Sequence, residues 1–399
     1  MRGARRLTIK RMRICNFKSL KDTLIELGKF NVLIGPNAGG KTNIIQALRL
    51  LRDIMDPGVL NPFADWGYAN AVWMRDESLN VRFELEFTDG SRYELEVTGA
   101  GGRFEVVREF VKIGDVKVRR EGLSISVRVK DEKITGQKLL ELNSRRPLLI
   151  TSSPVELLVR LVRPVLQKTI PIHEALEIAV EIVEEITELW FAIMTILEHI
   201  QPLFLNARRA KEASPPIRTK ALAPDGSNLH AVLYTLHFER GSLPERFYEL
   251  VSKAFPDVEE LRLEFTGDGR VHLVVRERGA YMLPMSMSNG FYKFLAILTA
   301  LELRPSLLAI DEIENSIHHE TMELLIDELR HADCQVLLTT HSPVVLDLCD
   351  PGEVLLAYRR PEGTKVRRIP EPEELRKKLR ELGLTLGESW VYGGLSERP

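Results

Sequence analysis

Cysteine is almost missing from this chain, with three residues in 399. Cys15, Cys334 and Cys349 show no metal-ligand spacing and stand in apolar surroundings. That excludes a disulfide scaffold and a thiolate zinc site, and it reads as buried, reduced cysteines of a cytoplasmic protein. The nine histidines form no metal set either. Glutamine is limited to Gln46, Gln137, Gln167, Gln201 and Gln335 while 28% of residues are charged, a balance that leans towards a thermophilic source. The longest uncharged apolar run of interest, Leu189 to Leu197, falls well short of the roughly 20 residues a bilayer needs. The basic start, Met1 to Arg13, is followed by no apolar stretch of a secretory signal. No membrane association is expected. A net charge of −2 supplies no global basic balance for nucleic acid. There is no internal repeat and no low-complexity tract.

What is present begins at Gly35. Gly35-Pro36-Asn37-Ala38-Gly39-Gly40-Lys41-Thr42 spells G-x-x-x-x-G-K-T. An apolar strand-like run, Phe30 to Ile34, precedes it, and Asn43 to Leu51 follows with apolar residues at helical spacing. Strand, loop and helix are the context a phosphate-binding loop needs. Small residues let successive backbone N–H groups turn inward around phosphate oxygens at a helix N-terminus. Lys41 is placed to reach the β and γ phosphates of ATP, the Thr42 hydroxyl to ligate Mg²⁺, and Asn43 stands beside them.

The far end of the chain supplies the complement. Ser306 to Ile310 is an apolar strand followed at once by Asp311-Glu312. Carboxylates at the C-terminal end of a parallel strand lie where ligands bind. Asp311 is assigned to Mg²⁺, mostly through water, and Glu312 to orienting and polarising the attacking water. Gln335 to Thr339 is another buried strand, and His341 beyond it is a candidate donor to the γ phosphate. Ser288 is expected to cap an amphipathic helix through Leu298, so that Ser288-Asn289-Gly290 offers free N–H groups to an anion. That segment has no evident role within one chain. Glu314 to His318 is a candidate contact with a neighbouring subunit.

This constellation resembles the ABC-type P-loop ATPase heads of the RecF, SMC and OLD class, above all the stand-alone OLD-like AAA-type ATPases. Asn16-Phe17-Lys18-Ser19-Leu20 is similar to the class's NFKSL element, and Asp225-Gly226-Ser227-Asn228-Leu229 to its DGSNL element. Ile310 to His318 is similar to IDEPENGLH, Thr339 to Pro343 to TTHSP, and Gly387 to Gly394 to its C-terminal ending. The likeness covers residues 7–55 and about 200–395. It departs at Ile313, where the class has Pro, and at Ser316, where it has Gly. LSGGQ is absent; Ser288-Asn289-Gly290 stands at the usual Ser-x-Gly. Gln137 is the candidate for a lid-loop glutamine.

The resemblance implies an ATPase with ATP and Mg²⁺ as cofactors, and a homodimer in which one chain's phosphate loop faces the other's signature segment. It also implies a DNA-associated repair or antiphage assembly, with any nuclease or effector on a separate chain. Two basic clusters, Arg2, Arg5, Arg6, Lys10, Arg11, Arg13 and Arg208, Arg209, Lys211, read as solvated surface or as contacts to phosphate backbones. Two other classes stay open. One is a slowly hydrolysing, nucleotide-gated module that recruits a partner. The other is a transporter ATPase subunit, disfavoured by the missing LSGGQ.

The expected architecture is α/β, a P-loop NTPase of the ABC-ATPase head type with a central parallel sheet, a β-rich lobe and a helical insertion. Residues 1–150 carry the phosphate loop and the β-rich lobe, where Leu79 to Phe87 and Tyr93 to Val97 alternate about a turn at Thr88 to Ser91. Residues 151–200 form the helical insertion, with Leu176, Ala179, Val183, Ile186, Trp190, Ile193, Leu197 and Ile200 on its apolar face. Residues 201–399 complete the ATPase core.

Overall fold

The computed structural model describes residues 7–122, 124–129, 132–136, 146–151 and 187–395. The chain divides into two compact units, Met1–Leu27, Asn37–Ile200 and Ala357–Arg367 in one, Gly28–Pro36, Gln201–Leu356 and Arg368–Pro399 in the other. Arg2, Arg5, Arg6, Gln137 and most of the expected helical insertion lie outside the described residues.

The first unit holds an eight-stranded antiparallel sheet in the order Leu20–Glu26, Ile9–Phe17, Val81–Phe87, Arg92–Thr98, Glu105–Ile113, Val116–Glu121, Ser124–Val129 and Glu132–Gly136. The alternation of the sequence is realised side chain by side chain. In Val81–Phe87, the residues Val81, Phe83, Leu85 and Phe87 are buried and those between them are half-buried. The turn at Thr88 to Ser91 places Gly90 at φ 88°, and the Asp89 carboxylate accepts the Ser91 N–H. This unit's core also holds charge. Glu109 and Arg120 are both fully buried, 4.0 Å apart. Glu109 takes the N–H groups of Leu148 and Leu149 and the Tyr93 hydroxyl, so its charge is not stranded.

Helix Lys41–Met55 buries Ile44, Ile45, Leu48, Leu51 and Ile54, each contributing about 1.5–3 kcal/mol by leaving water. Residues 187–198 are helical, with Trp190, Ile193 and Leu197 buried.

The second unit is built on parallel strands in the order Leu307–Ile310, Gln335–Thr339 and Phe30–Ile34, followed by the start of strand Val354–Arg360 as far as Leu356. The first three are buried at every residue, as expected of a parallel sheet covered on both faces. Helix Asn289–Glu302 corrects one expectation. It is buried without interruption from Gly290 to Ala300, so it is a core helix and not an amphipathic one. Phe291 and Phe294 meet Phe255 edge-on at 5.2 and 5.6 Å. A three-stranded sheet, Val258–Phe265, Val271–Glu277 and Ala280–Met282, completes the unit. Among the described residues, no helix is long and apolar enough to cross a membrane.

Candidate functional site

In the second unit, three neighbouring strands end at one edge. Ile34 runs into Gly35, Ile310 into Asp311, and Thr339 into Thr340 and His341. Ile310 pairs with Leu338 and Thr339 with Leu33. The start of the phosphate loop, the acidic pair and the histidine therefore all leave the carboxyl edge of a parallel sheet, where such sheets bind ligands.

Asp311 and Glu312 are half-buried and joined through Thr339. The Thr339 hydroxyl donates to Asp311 Oδ1 at 2.7 Å and accepts the Glu312 N–H at 2.8 Å. Glu312 stands at φ 48°, in the left-handed region that few side chains adopt. The Asn315 amide donates to Glu312 Oε2 at 2.6 Å, which fixes one carboxylate oxygen. Glu314 Oε1 accepts the His341 N–H at 2.6 Å and so ties the exposed histidine to the acidic loop.

Both departures from the family pattern have a local consequence here. The Ile313 N–H donates to the Thr339 carbonyl at 3.1 Å, a bond proline cannot make. Ser316 holds φ 66°, a conformation glycine adopts without strain.

Sequence reasoning missed Lys293. It is 5% exposed, and its ammonium donates to the Glu312 carbonyl at 2.5 Å. Burial lowers its proton affinity, to a pKa of about 8, against the opposing pull of Glu314, Glu312 and Asp311. The one available signal was a lysine inside the apolar run from Phe291 to Leu298.

The signature segment is partly corrected. Ser288 caps its helix as expected, its hydroxyl accepting the Phe291 N–H at 3.1 Å. Asn289 and Gly290, however, do have roles within the chain. Asn289 Oδ1 accepts from Lys211 at 2.8 Å. Gly290 packs so tightly that a Cβ there would lie 2.3 Å from the Ser316 carbonyl oxygen. Ser288 and Asn289 remain exposed.

In the first unit, the rest of the phosphate loop leads into helix Lys41–Met55. Asn37 and Ala38 are exposed, like Pro36 before them; Gly39 and Lys41 are buried, and Thr42 and Asn43 half-buried. Ala38 at φ 63° and Gly40 at φ 98° give the backbone the left-handed steps that gather N–H groups into a nest. Gly40 admits no side chain, because a Cβ would fall 2.1 Å from Thr364 Oγ1. The Thr364 and Ser19 hydroxyls are 2.8 Å apart, and Asn43 donates to Ser19 Oγ at 2.8 Å. Ser19 and Thr364 thus form the floor of the loop, which motif reading could not supply. Lys18, beside them, donates to Gln46 at 2.6 Å and lies 4.7 Å over the Trp66 ring.

The basic clusters are less available than the sequence suggests. Lys211 is buried and also donates to the Met287 carbonyl at 2.6 Å. Arg209 pairs with Asp225, Lys10 with Glu86, Arg11 with Glu26 and Arg13 with Asp22. Arg208 is exposed. Cys15 and Cys334 are buried as expected, whereas Cys349 is only partly so.

Among the described residues, no group of three or more His, Cys, Asp or Glu side chains could hold a metal. Mg²⁺ takes one or two protein oxygens and draws the rest of its shell from phosphate and water; the Thr42 hydroxyl in the first unit and the Asp311 carboxylate in the second are each oxygen groups of the kind it accepts.

Comparison with known proteins gives three kinds of likeness. The chain is 28% identical over 163 residues to the OLD nuclease of Thermus scotoductus (strain ATCC 700910 / SA-01), covering 39% of this chain and 31% of that protein. The chain thus spans about a third of the length of this curated relative. It overlays the SMC head bound to the C-winged helix domain of ScpA with a TM-score of 0.48 and 15% identity, covering 92% of this chain and 99% of that one. For the SMC head domain from Thermotoga maritima the TM-score is 0.40 at 14% identity, covering 91% and 99%. A family model described as "AAA domain, putative AbiEii toxin, Type IV TA system" matches residues 30–347, most of the chain. The chain belongs to that family and carries a P-loop ATPase domain of the AAA type.

Proposed function

We propose that the chain hydrolyses ATP at the carboxyl edge of its parallel sheet and that ATP gates the pairing of two chains. The backbone of Gly35, Pro36, Asn37, Ala38, Gly39 and Gly40, with Lys41 and Asn43, holds the phosphates. Thr42 and Asp311 would hold Mg²⁺, which would supply charge compensation to the bound phosphates. Glu312 orients and polarises the attacking water, and His341 donates to the γ phosphate. Catalysis is then mostly positioning and electrostatic stabilisation.

The observation that carries this reading is the bonding of Glu312. Its N–H, its carbonyl and one carboxylate oxygen are all held, which leaves the other oxygen to act on water from a fixed backbone. Glu312→Gln keeps this shape without the base. It should bind ATP with wild-type affinity and turn over at least about 100-fold more slowly. Lys41→Ala should lose the binding itself. Equal loss of affinity in both variants contradicts the separate roles.

The paired state is supported by the exposed N-terminus at Ser288 and Asn289, which suits a γ phosphate brought by a second copy. Ser288→Arg should bind ATP without turnover. Once subunit exchange is established, mixing Ser288→Arg with Lys41→Ala should restore part of the activity, because one composite site per mixed dimer has both faces intact. No recovery, or turnover by a monomer in light scattering, overturns the shared site.

The likeness to an OLD nuclease favours a DNA-associated repair or antiphage assembly. DNA held through phosphates dissociates steeply with added salt and with little regard to sequence. Absence of binding to any DNA form at low salt removes DNA from this reading.

A further inference from the structure

We infer that Lys293 is a positioning residue for Glu312, holding the water-activating carboxylate in its left-handed backbone conformation from the signature helix. The inference rests on Glu312 being the base proposed above.

A non-glycine residue at φ 48° is strained and persists only where its surroundings over-determine it. At Glu312 the strand side supplies one restraint, the Thr339 hydroxyl on the N–H. Lys293 supplies the opposing one on the carbonyl. Two contacts three residues apart, Gly290 against the Ser316 carbonyl and Lys293 on the Glu312 carbonyl, lie on one face of helix Asn289–Glu302. They fasten that face to both left-handed residues of the acidic loop.

A displacement of Ser288-Asn289-Gly290 is thereby passed to the backbone that aims Glu312. A buried ammonium is an expensive way to fill a core position, and methionine would fill it at lower cost. What lysine adds is a charged donor that reaches the carbonyl of a strained residue among Asp311, Glu312 and Glu314.

The experiment is a two-by-two cycle of Lys293→Met and Glu312→Gln, read as ATP affinity and single-turnover rate. Lys293→Met should bind ATP within about threefold of wild type and hydrolyse it at least about tenfold more slowly. In the Glu312→Gln background it should cause less than about twofold further loss, since a residue acting through Glu312 has nothing left to position. Lys293→Gln should behave likewise and is the variant to read if Lys293→Met does not fold. A rate within about twofold of wild type for either folded variant, or full additivity in the double variant, overturns the inference. Wild-type turnover by Glu312→Gln alone instead overturns the assignment of the base.

Discussion

The Thr339 hydroxyl donates its proton to Oδ1 of Asp311 at 2.7 Å. Two adjacent strands are thus joined through the carboxylate proposed to hold Mg²⁺. The bond helps to fix the rotamer in which the carboxylate is presented. Thr339 is fully buried, so its hydroxyl cannot be replaced there by bulk water.

Thr339→Val is expected to raise the Mg²⁺ concentration for half-maximal ATPase by about tenfold or more. It should also destabilise the protein by about 1–3 kcal/mol, because the Glu312 N–H loses its acceptor. Thr339→Ser should stay close to wild type in both. Magnesium titration of activity and denaturant unfolding are the measurements. An unchanged magnesium requirement in Thr339→Val removes the link to the metal.

Gly40→Ala should abolish ATP binding. The added methyl would fall 2.1 Å from Thr364 Oγ1, at a residue with φ 98°. Thr364→Gly in the same chain removes the two closest clashes but leaves Ser19 Oγ at 2.9 Å and the backbone strain, about 1–2 kcal/mol. Nucleotide affinity by calorimetry should therefore recover in part in the double variant and not at all in Gly40→Ala.

At Gly290 two effects oppose each other. Alanine is favoured over glycine in a helix by about 1 kcal/mol. Against it stands a backbone oxygen 2.3 Å from the new Cβ, a crowding worth about 1–3 kcal/mol in a packed interior. Crowding should win, so Gly290→Ala lowers the thermal midpoint and slows turnover while ATP affinity stays near wild type. A raised midpoint would show that the helix and the acidic loop separate easily.

His230 predicts a pH dependence of stability. It is fully buried, its Nδ1 lies 2.8 Å from the Glu212 carbonyl, and burial, aided by His272, depresses its pKa from 6.5 to about 4. The unfolded chain takes up this proton as pH falls through 6.5 while the folded chain resists until about 4. The stabilisation is therefore complete above pH 6.5 and lost as the pH falls towards 4. At pH 5 the loss is about 2 kcal/mol. His230→Leu should show a flatter decline between pH 7.5 and 5 in denaturant midpoints, and an equal slope in both proteins would exclude His230 as the source.

The nucleotide loop, its flanking elements, the β hairpin and the Ser288 cap were legible in the sequence because each is local. A glycine at a turn or a hydroxyl three residues before an N–H is a short-range signal. Lys293, Thr364 and the φ 48° of Glu312 were not legible. They depend on partners far along the chain, and a left-handed glutamate carries no mark in its letter. The amphipathic reading of residues 291–298 failed because Lys293 and Tyr292 look like a solvent face, whereas both are buried. The ion pairs of the basic clusters were not legible either, because the carboxylates that meet Lys10, Arg11, Arg13 and Arg209 stand elsewhere in the chain.

The floor of the phosphate loop has a bearing on synthesis. Ser19 and Thr364 are 345 residues apart, which at about 5–20 residues per second separates their emergence from the ribosome by some tens of seconds. Strand Phe30–Ile34 must wait as well, since both its neighbours, Gln335–Thr339 and Val354–Arg360, are translated late. For that interval the nascent chain carries a complete G-x-x-x-x-G-K-T with no floor beneath it, next to an apolar strand with two open edges. Such a strand is exposed to wrong pairing until its partners arrive. The phosphate loop therefore gains its floor, and strand Phe30–Ile34 its two neighbours, only in the last part of synthesis.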